Sequence, residues 1–395
     1  MSGGEAIGDR PAGSTQGSAT VRGRVRVLLT GTDPERPRGG IGVAMSGFRA
    51  ALESEGLLET LVPSYRPDSL AGRTTLALEA AAKLRHQSDA LRAAGGVPVV
   101  YAHGGAGVGL LRQSLVLAAA RRRGAVTILH VHAPEVDRYV QTSRGRWFLR
   151  RCCAAADVAC VLTPWWRDRL SMARLRPRVE VVPDPISPDL VSVARAGRPA
   201  SREDGERIRV LAMSRLVKGK GVDIALRALS LVPPDFRLTI AGDGAERARF
   251  ERLAGELGLR ERVRFTGWVS GRRKHELLCE TDVFCLPTTN DSFCMGFIEA
   301  MAYGLPVIAA SWGPIPDVVQ DDVTGLLVPV GAPNRVARAL ERLADPGLRR
   351  RLGEGGRTWV LASLTPREVG RTLREVVNRA RVEAGRRGRA DSIGS

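Results

Sequence analysis

Three cationic side chains lie in one short loop after the strand-like run Val210–Met213. The segment 214–221 reads Ser-Arg-Leu-Val-Lys-Gly-Lys-Gly and supplies Arg215, Lys218 and Lys220. The planar fork of an arginine fits phosphate oxygens, and a lysine adds a compact point charge. The loop therefore predicts phosphate binding, with a merely solvated basic loop as the alternative.

Two carboxylates eight residues apart bracket the start of a helix predicted over 294–303. Asp291 lies in the loop after the strand-like run Val283–Leu286, and Glu299 lies inside the helix among apolar residues. The free N–H groups of a helix N-terminus attract phosphate, while carboxylates accept hydrogen bonds from sugar hydroxyls. A glutamate among apolar neighbours needs a partner, so the alternative is that Glu299 pairs with a structural arginine.

Histidines follow two further strand-like runs. His103 comes after Val97–Ala102 and His132 after Thr127–Val131. Ligands bind at the carboxyl ends of parallel strands, so we expect at least one of His130 and His132 to face a cleft. A structural role is the alternative for each. The remaining histidines fall in predicted helices and are expected at the surface: His86 and His275.

Two glycine turns have the context of a phosphate site but lack a complete nucleotide-binding fingerprint. In the first, Gly39-Gly40-Ile41-Gly42, the third glycine slot of G-x-G-x-x-G holds Met45. In the second, Gly242-Asp243-Gly244, that slot holds Arg247. No G-x-x-x-x-G-K-[ST] sequence occurs. A tight turn is the alternative for the first of them.

The composition limits the classes of protein. The chain has 395 residues, 44% hydrophobic and 26% charged, which favours two globular domains. The net charge is +18, yet only four of the 60 basic residues are lysines, a skew typical of genomic base-composition bias. The charge still suits anionic partners, including membranes and phosphorylated ligands. Nucleic acid is not expected, because recognition modules are missing and aromatic residues make up only 5%.

Other sequence signals predict absences. We expect no signal peptide, because residues 1–20 lack an apolar core segment, and no spanning helix, because Ala300–Pro316 is interrupted by glycine and proline. The six cysteines show no C-x-x-C spacing, so we expect buried reduced thiols in a cytosolic protein. Strand-like and helical patterns alternate throughout, which predicts an α/β fold with parallel sheets covered on both faces.

From Arg24 to about Arg379 the chain resembles the bacterial glycosyltransferases of the large retaining family 4, which have the GT-B fold. The second half carries five of the family's segments in order: RLVKGKGVD (215–223), IAGDGAER (240–247), RVRFTGWV (262–269), NDSFCMGFIEAMAYGLPVIA (290–309) and TGLLVPV (324–330). The first half resembles the family through GGIG (39–42) and ILHVHAP (128–134).

The resemblance implies two Rossmann-like domains with a nucleotide-sugar in the cleft between them. Arg215 and Lys220 would hold the pyrophosphate, Glu299 the ribose hydroxyls, and the backbone around Trp268–Val269 the base. His132 and Asp291 would be the catalytic residues, with His132 beside the transferred sugar. The other implied donor contacts are Gly40, Gly42, Gly242, Phe293, Cys294 and Met295. The family transfers with retention and usually needs neither metal nor cofactor. Asp291 departs from the glutamate usual there and reaches about one methylene less far.

The implied units are a disordered tail (1–21), an acceptor-side domain (22–195), a donor-binding domain (205–362), a helix crossing back (363–383) and a second tail (384–395). We predict transfer from a UDP-, GDP- or ADP-sugar in cell-envelope or exopolysaccharide assembly, in the cytoplasm or peripherally on the inner membrane face. The acceptor is a glycan, a lipid-linked sugar or a small molecule. The alternatives are tailoring of a soluble natural product and, in another enzyme class, a nucleotide-sugar epimerase or a phosphorylase.

Overall fold

A computed structural model describes residues 23–33, 40–65, 71–197 and 207–393. The predicted tail over 1–21, Gly39 and residues 198–206, near the boundary between the two predicted domains, lie outside the described residues.

The first half of the chain forms a six-stranded sheet in which every neighbouring pair is parallel. Its strands in chain order are β1 (Val25–Thr32), β2 (Leu58–Tyr65), β3 (Val97–Gly104), β4 (Val126–Val131), β5 (Val158–Val161) and β6 (Arg178–Val181). They lie side by side in the order β2-β1-β3-β4-β5-β6. The central strands β3 and β4 are buried along almost their whole length because helices cover both faces of the sheet.

Seven helices connect and cover these strands. They are α1 (Gly40–Ser54), α2 (Ala71–Ala93), α3 (Val108–Arg122), α4 (Val136–Gln141), α5 (Ser143–Cys153), α6 (Pro164–Ser171) and α7 (Pro188–Ala196). The helix α1 packs on the first sheet through Ala44, Met45, Phe48 and Leu52, which are all buried.

The second half repeats the plan with another six-stranded parallel sheet, ordered β12-β11-β10-β7-β8-β9. Its strands are β7 (Ile208–Met213), β8 (Phe236–Ala241), β9 (Val263–Gly267), β10 (Val283–Leu286), β11 (Val307–Ala310) and β12 (Gly325–Val328). Its helices are α8 (Val222–Leu229), α9 (Arg247–Glu256), α10 (Gly271–Glu280), α11 (Met295–Ala302), α12 (Pro333–Arg342) and α13 (Pro346–Ser363).

The last helix, α14 (Pro366–Ile393), returns to the first domain. Its buried residues Leu373 and Val377 join the core that α1 forms with the first sheet, and Arg379 bonds to Glu180 of β6 at 2.7 Å. The predicted crossing helix is therefore present. It ends ten residues later than predicted, so the segment expected to be a tail from residue 384 is helical as far as Ile393.

The strand orders determine where a ligand can bind. In the first sheet the order reverses between β1 and β3, and in the second between β7 and β10. Loops diverge at such a switch point and leave a crevice at the carboxyl ends of the strands. Among the described residues, no helix is both long and apolar enough to cross a lipid bilayer.

Candidate active site

A cleft with a cavity volume of about 390 Å³ lies between the two domains. Its walls come from the carboxyl ends of β1 and β4 on one side and of β7, β8 and β10 on the other. Both switch points therefore open into the same space. Most of the residues that the sequence assigns to the donor line this cleft.

Lys220 and Asp291 form an ion pair in the wall of the cleft. Lys220 Nζ donates to Asp291 Oδ2 at 2.7 Å, and only 8% of the lysine side chain is exposed. The lysine comes from the loop after β7 and the acid from the loop after β10, which are neighbouring strands. The structure thus joins two sequence-predicted residues that are 71 positions apart.

Glu299 makes a second lysine–carboxylate pair in the same cleft. Lys274 Nζ, on α10, donates to Glu299 Oε1, on α11, at 2.6 Å. The glutamate side chain is 9% exposed and the lysine 28%. Glu299 therefore has a charged partner, as the sequence analysis required, but it is a lysine in the cleft rather than a structural arginine.

Arg215 and the start of α11 provide the positive potential that remains. The Arg215 side chain is exposed in the cleft. Across the described residues no side-chain hydrogen bond caps α11, whose first turn begins at Met295 in the cleft. Uncapped N–H groups and the helix dipole favour an anion there. Because each lysine is matched by an acid, Arg215 and the helix terminus are the groups best placed for phosphate.

The residue before α11 has an unusual backbone conformation. Cys294 has φ of +56°, a left-handed value that side-chain-bearing residues rarely adopt. Burial raises the pKa of its thiol well above the ordinary value, so it stays protonated at neutral pH. Phe293, Cys294 and Met295 are all nearly buried and line the cleft.

Gly242 forms the floor of the cleft at the end of β8. Its φ is +149°, and a Cβ built there would lie 1.8 Å from the carbonyl oxygen of Ser214. Only glycine fits this close approach. Val269 and the half-exposed Trp268 form the far wall, so both residues assigned to the base face the cleft.

The glycine segment of the first domain differs from the prediction. Gly40 lines the cleft opposite Met295, but it is the first residue of α1 rather than part of a loop. Gly42 lies buried in the first turn of α1 and is not among the residues that line the cleft. The donor contact of Gly42 therefore stays a prediction, at a buried position in the first turn of α1.

Three histidines gather on one face of the first sheet. His103 and His130 are register partners on β3 and β4, and His132 lies two residues further along. His103 Nδ1 is 2.8 Å from His132 Nε2, and His132 Nδ1 is 3.4 Å from Asp184 Oδ1. His132 lines the cleft as expected, but both of its ring nitrogens face protein atoms. His86 and His275 are exposed, which confirms their predicted placement.

Tryptophans connect the two domains beside the cleft. Trp166, on α6, donates through Nε1 to the carbonyl of Ser292 at 2.8 Å, next to Asp291. The neighbouring Trp165 packs against Trp312 of the second domain, with ring centroids 6.3 Å apart. These contacts hold the loop after β10, which contains Ser292, against the first domain.

Sequence reasoning missed several residues of this region. Lys274 was not predicted as a site residue, although it is one of only four lysines in an arginine-rich chain. The adjacent tryptophans Trp165 and Trp166 were a second available signal. Asp184 carried no sequence signal, because its loop comes near His132 only through the sheet order.

Comparison with known proteins supports the resemblance to glycosyltransferases that the sequence motifs indicate. A family model described as glycosyl transferases group 1 matches residues 194–359. A GDP-mannose-dependent α-(1-6)-phosphatidylinositol monomannoside mannosyltransferase of Mycolicibacterium smegmatis is 30% identical over 275 residues, covering 66% of this chain and 72% of that protein. The chain belongs to the group 1 glycosyltransferases. Another relative is the lipopolysaccharide core biosynthesis glycosyltransferase LpsE of Rhizobium meliloti, which is 36% identical over 149 residues, covering 37% of this chain and 43% of that protein.

Solved structures show the fold of this glycosyltransferase. A sucrose-phosphate synthase of Thermosynechococcus elongatus superposes with a TM-score of 0.71 at 24% identity, covering 90% of this chain and 98% of that one. HepE of Anabaena, solved in complex with UDP and glucose, gives a TM-score of 0.68 at 17% identity, covering 90% and 100%. The predicted GT-B fold is confirmed.

Proposed function

We propose that this glycosyltransferase moves a hexose from a nucleoside-diphosphate sugar to a lipid-linked acceptor, with retention of anomeric configuration and without a metal ion. The observation that carries the proposal is the pair of lysine–carboxylate contacts, Lys220–Asp291 and Lys274–Glu299, beside Arg215 and the uncapped start of α11. This arrangement suits a ligand that has two phosphates and several hydroxyls.

The charges suit departure of a diphosphate. Cleavage of the anomeric C–O bond places negative charge on the leaving phosphate and positive charge on the sugar. Arg215, Lys220 and the N–H groups of α11 stabilise the first, while the carboxylate of Asp291 lies near the second. Fixed donors at such a position contribute about 3 kcal/mol each to lowering the barrier. His132 meets the sugar with its ring and acts mainly as a steric and apolar wall.

Guanosine diphosphate mannose is our first candidate donor. Two mycobacterial relatives, 30% and 32% identical to this chain, are named GDP-mannose-dependent mannosyltransferases. Exposed Trp268 and buried Val269 give the base a surface on which to stack. Calorimetric titration with GDP, UDP and ADP tests the choice, and binding of UDP alone would contradict it.

A lipid-linked acceptor is favoured by one surface of the first domain, formed by α3 and α5. Val108, Leu111 and Leu115 lie at helical spacing on α3 and are 46–80% exposed, and Trp147 on α5 is 63% exposed. The same two helices and the residue that follows α3 also carry exposed arginines: Arg122, Arg123, Arg144, Arg150 and Arg151. The two helices are joined, since Ser114 Oγ donates to the carbonyl of Cys152 at 2.7 Å. An apolar stripe edged by cations suits an anionic membrane, at about 1 kcal/mol per basic residue.

Vesicle flotation tests this surface. The protein should float with vesicles that contain phosphatidylglycerol and not with neutral phosphatidylcholine vesicles, and salt should weaken the binding. Leu115→Glu should abolish flotation, whereas Leu231→Glu, at a similarly exposed leucine of the second domain, should not. Equal flotation of both variants would remove the membrane role and favour a soluble small-molecule acceptor.

Analysis of the product linkage by NMR tests whether transfer retains the anomeric configuration.

A further inference from the structure

A cluster of buried histidines lies beneath the cleft, in the core of the first domain. His103, His130 and His132 each place a ring nitrogen so that all three atoms lie within 4.8 Å of one another. The side chains share one face because His103 and His130 are register partners on parallel strands and His132 follows two residues later. All three are at most 4% exposed.

Polar atoms of this cluster lack hydrogen-bond partners among the described residues. His103 Nε2, His130 Nε2, His132 Nδ1 and Asp184 Oδ1 are buried without a partner in the described part of the chain. The other ring nitrogens do have partners, since His103 Nδ1 meets His132 Nε2 at 2.8 Å and His130 Nδ1 meets Tyr101 Oη at 3.1 Å. His132 Nδ1 lies 3.4 Å from Asp184 Oδ1, close enough for attraction but not aligned for a hydrogen bond. Buried polar atoms without partners are rare and require an explanation such as an ion or an ordered water. The carboxylate of Asp184 also brings a negative charge into this core.

We propose that His103, His130 and His132 form a binding site for a transition-metal ion of the zinc class, with Asp184 beside it. Three imidazoles and a nearby carboxylate are ligands that suit zinc, cobalt, nickel or copper. Nitrogen ligands of one zinc ion lie about 3.4 Å apart when each bond is about 2.05 Å. The three nitrogens lie within 4.8 Å of one another, so the rings must shift toward a bound ion to reach that geometry.

An aromatic ring from α1 packs against the cluster. Phe48 of α1 covers the rings at centroid distances of 4.5 Å from His103 and 5.4 Å from His130. Of the three histidines only His132 reaches the cleft, which provides the path of entry.

Cobalt binding tests the site without reference to sugar transfer. The full chain without an affinity tag is treated with chelator and titrated with Co²⁺. We expect one ion per chain, the visible absorption of a cobalt ion with three imidazole ligands, and displacement by Zn²⁺. His103→Asn and His130→Asn should each weaken the affinity at least about 100-fold, since loss of a mere outer-shell partner already costs 10–100-fold. His86→Asn, at an exposed histidine of α2, should change nothing.

Two results would overturn the proposal: no binding by the wild-type chain, or equal binding by the wild type and both cluster variants. Unfolding curves and nucleotide titration show whether the variants remain folded. If they do not, X-ray absorption of the zinc-loaded wild type decides the question. A coordination shell with three imidazoles supports the site, and one with fewer contradicts it. Because binding is measured directly, failure here leaves the proposed transfer reaction unaffected.

Discussion

Gly242→Ala should unfold the floor of the donor cleft, and the size of its effect follows from two distances. At φ of +149°, an alanine Cβ would lie 1.8 Å from the carbonyl oxygen of Ser214 and 3.6 Å from Leu216 Cδ2. The first contact is far inside van der Waals range and involves backbone, so the loop after β7 must move by more than 1 Å. Overpacking of this kind costs about 1–3 kcal/mol, and the backbone conformation adds about 1–3 kcal/mol for a residue with a Cβ. We expect a loss of about 4 kcal/mol in the free energy of unfolding.

Gly258→Ala is the matched control. Gly258 also has positive φ, +69°, but a Cβ there would have no atom within 4 Å. Its substitution carries only the left-handed backbone cost, about 1–2 kcal/mol. Urea unfolding measures the loss in the free energy of unfolding for both variants, provided that their m-values are equal. Nucleotide calorimetry should show loss of binding for Gly242→Ala alone, because that loop carries Arg215. Equal destabilisation by the two substitutions would refute the steric argument.

Three further predictions concern the cleft and its surroundings. Trp166→Phe removes the hydrogen bond to the Ser292 carbonyl, so the free energy of unfolding should fall by about 1 kcal/mol. X-ray scattering should show a larger radius of gyration, and an unchanged radius would contradict the bridging role of Trp166. A double-mutant cycle of Lys274→Met and Glu299→Gln should give a coupling of about 1–2 kcal/mol in the free energy of unfolding. Additive effects of the two substitutions would show that the contact contributes nothing to stability. At pH 8 iodoacetamide should label the half-buried Cys279 and not Cys285, because burial raises the pKa of the Cys285 thiol to about 12 and keeps it protonated. Labelling of Cys285 in the folded chain would contradict this prediction.

The position of the loops that line one side of the cleft could be predicted because their signals are local. Arg215 and Lys220 lie in one loop after a strand, and Asp291 and Glu299 bracket the start of one helix, so each pair can be located from its own segment. Pairing between loops was not predictable. Lys220 meets Asp291 only because the second sheet places β10 beside β7. Lys274 meets Glu299 because α10 and α11, the helices before and after β10, lie side by side at the cleft.

Three elements have weak local signals in the sequence. β2 contains Glu59 and Pro63, which are untypical of a buried strand, but it lies at the edge of its sheet, where such residues are tolerated. α2 mixes apolar and charged residues around its circumference, so no apolar face marks it. α13 contains several glycines; Gly353 is needed because a Cβ there would lie 2.0 Å from the carbonyl oxygen of Gly304. In each case the tertiary environment outweighed local preference.

The histidines show the limit most clearly. The sequence indicated that His132 lies at a strand end, which the structure supports. It did not indicate that His103 and His130 lie beside it with Asp184, because that cluster depends on the register of β3 and β4 and on a distant loop. Register between parallel strands leaves no trace in the spacing of residues along one strand.

The most direct test of the account is nucleotide binding by the wild type and by three variants: Glu299→Ala, the double variant Arg215→Ala with Lys220→Ala, and the surface control Arg272→Ala. Calorimetry with GDP should give micromolar binding to the wild type and to the control, whose arginine is exposed. Binding should weaken by at least about 100-fold in the Glu299 and double variants, since each loses charged contacts worth about 3 kcal/mol. Unchanged GDP affinity in folded Glu299→Ala and in the folded double variant would show that the donor binds elsewhere, and the central claim would be wrong.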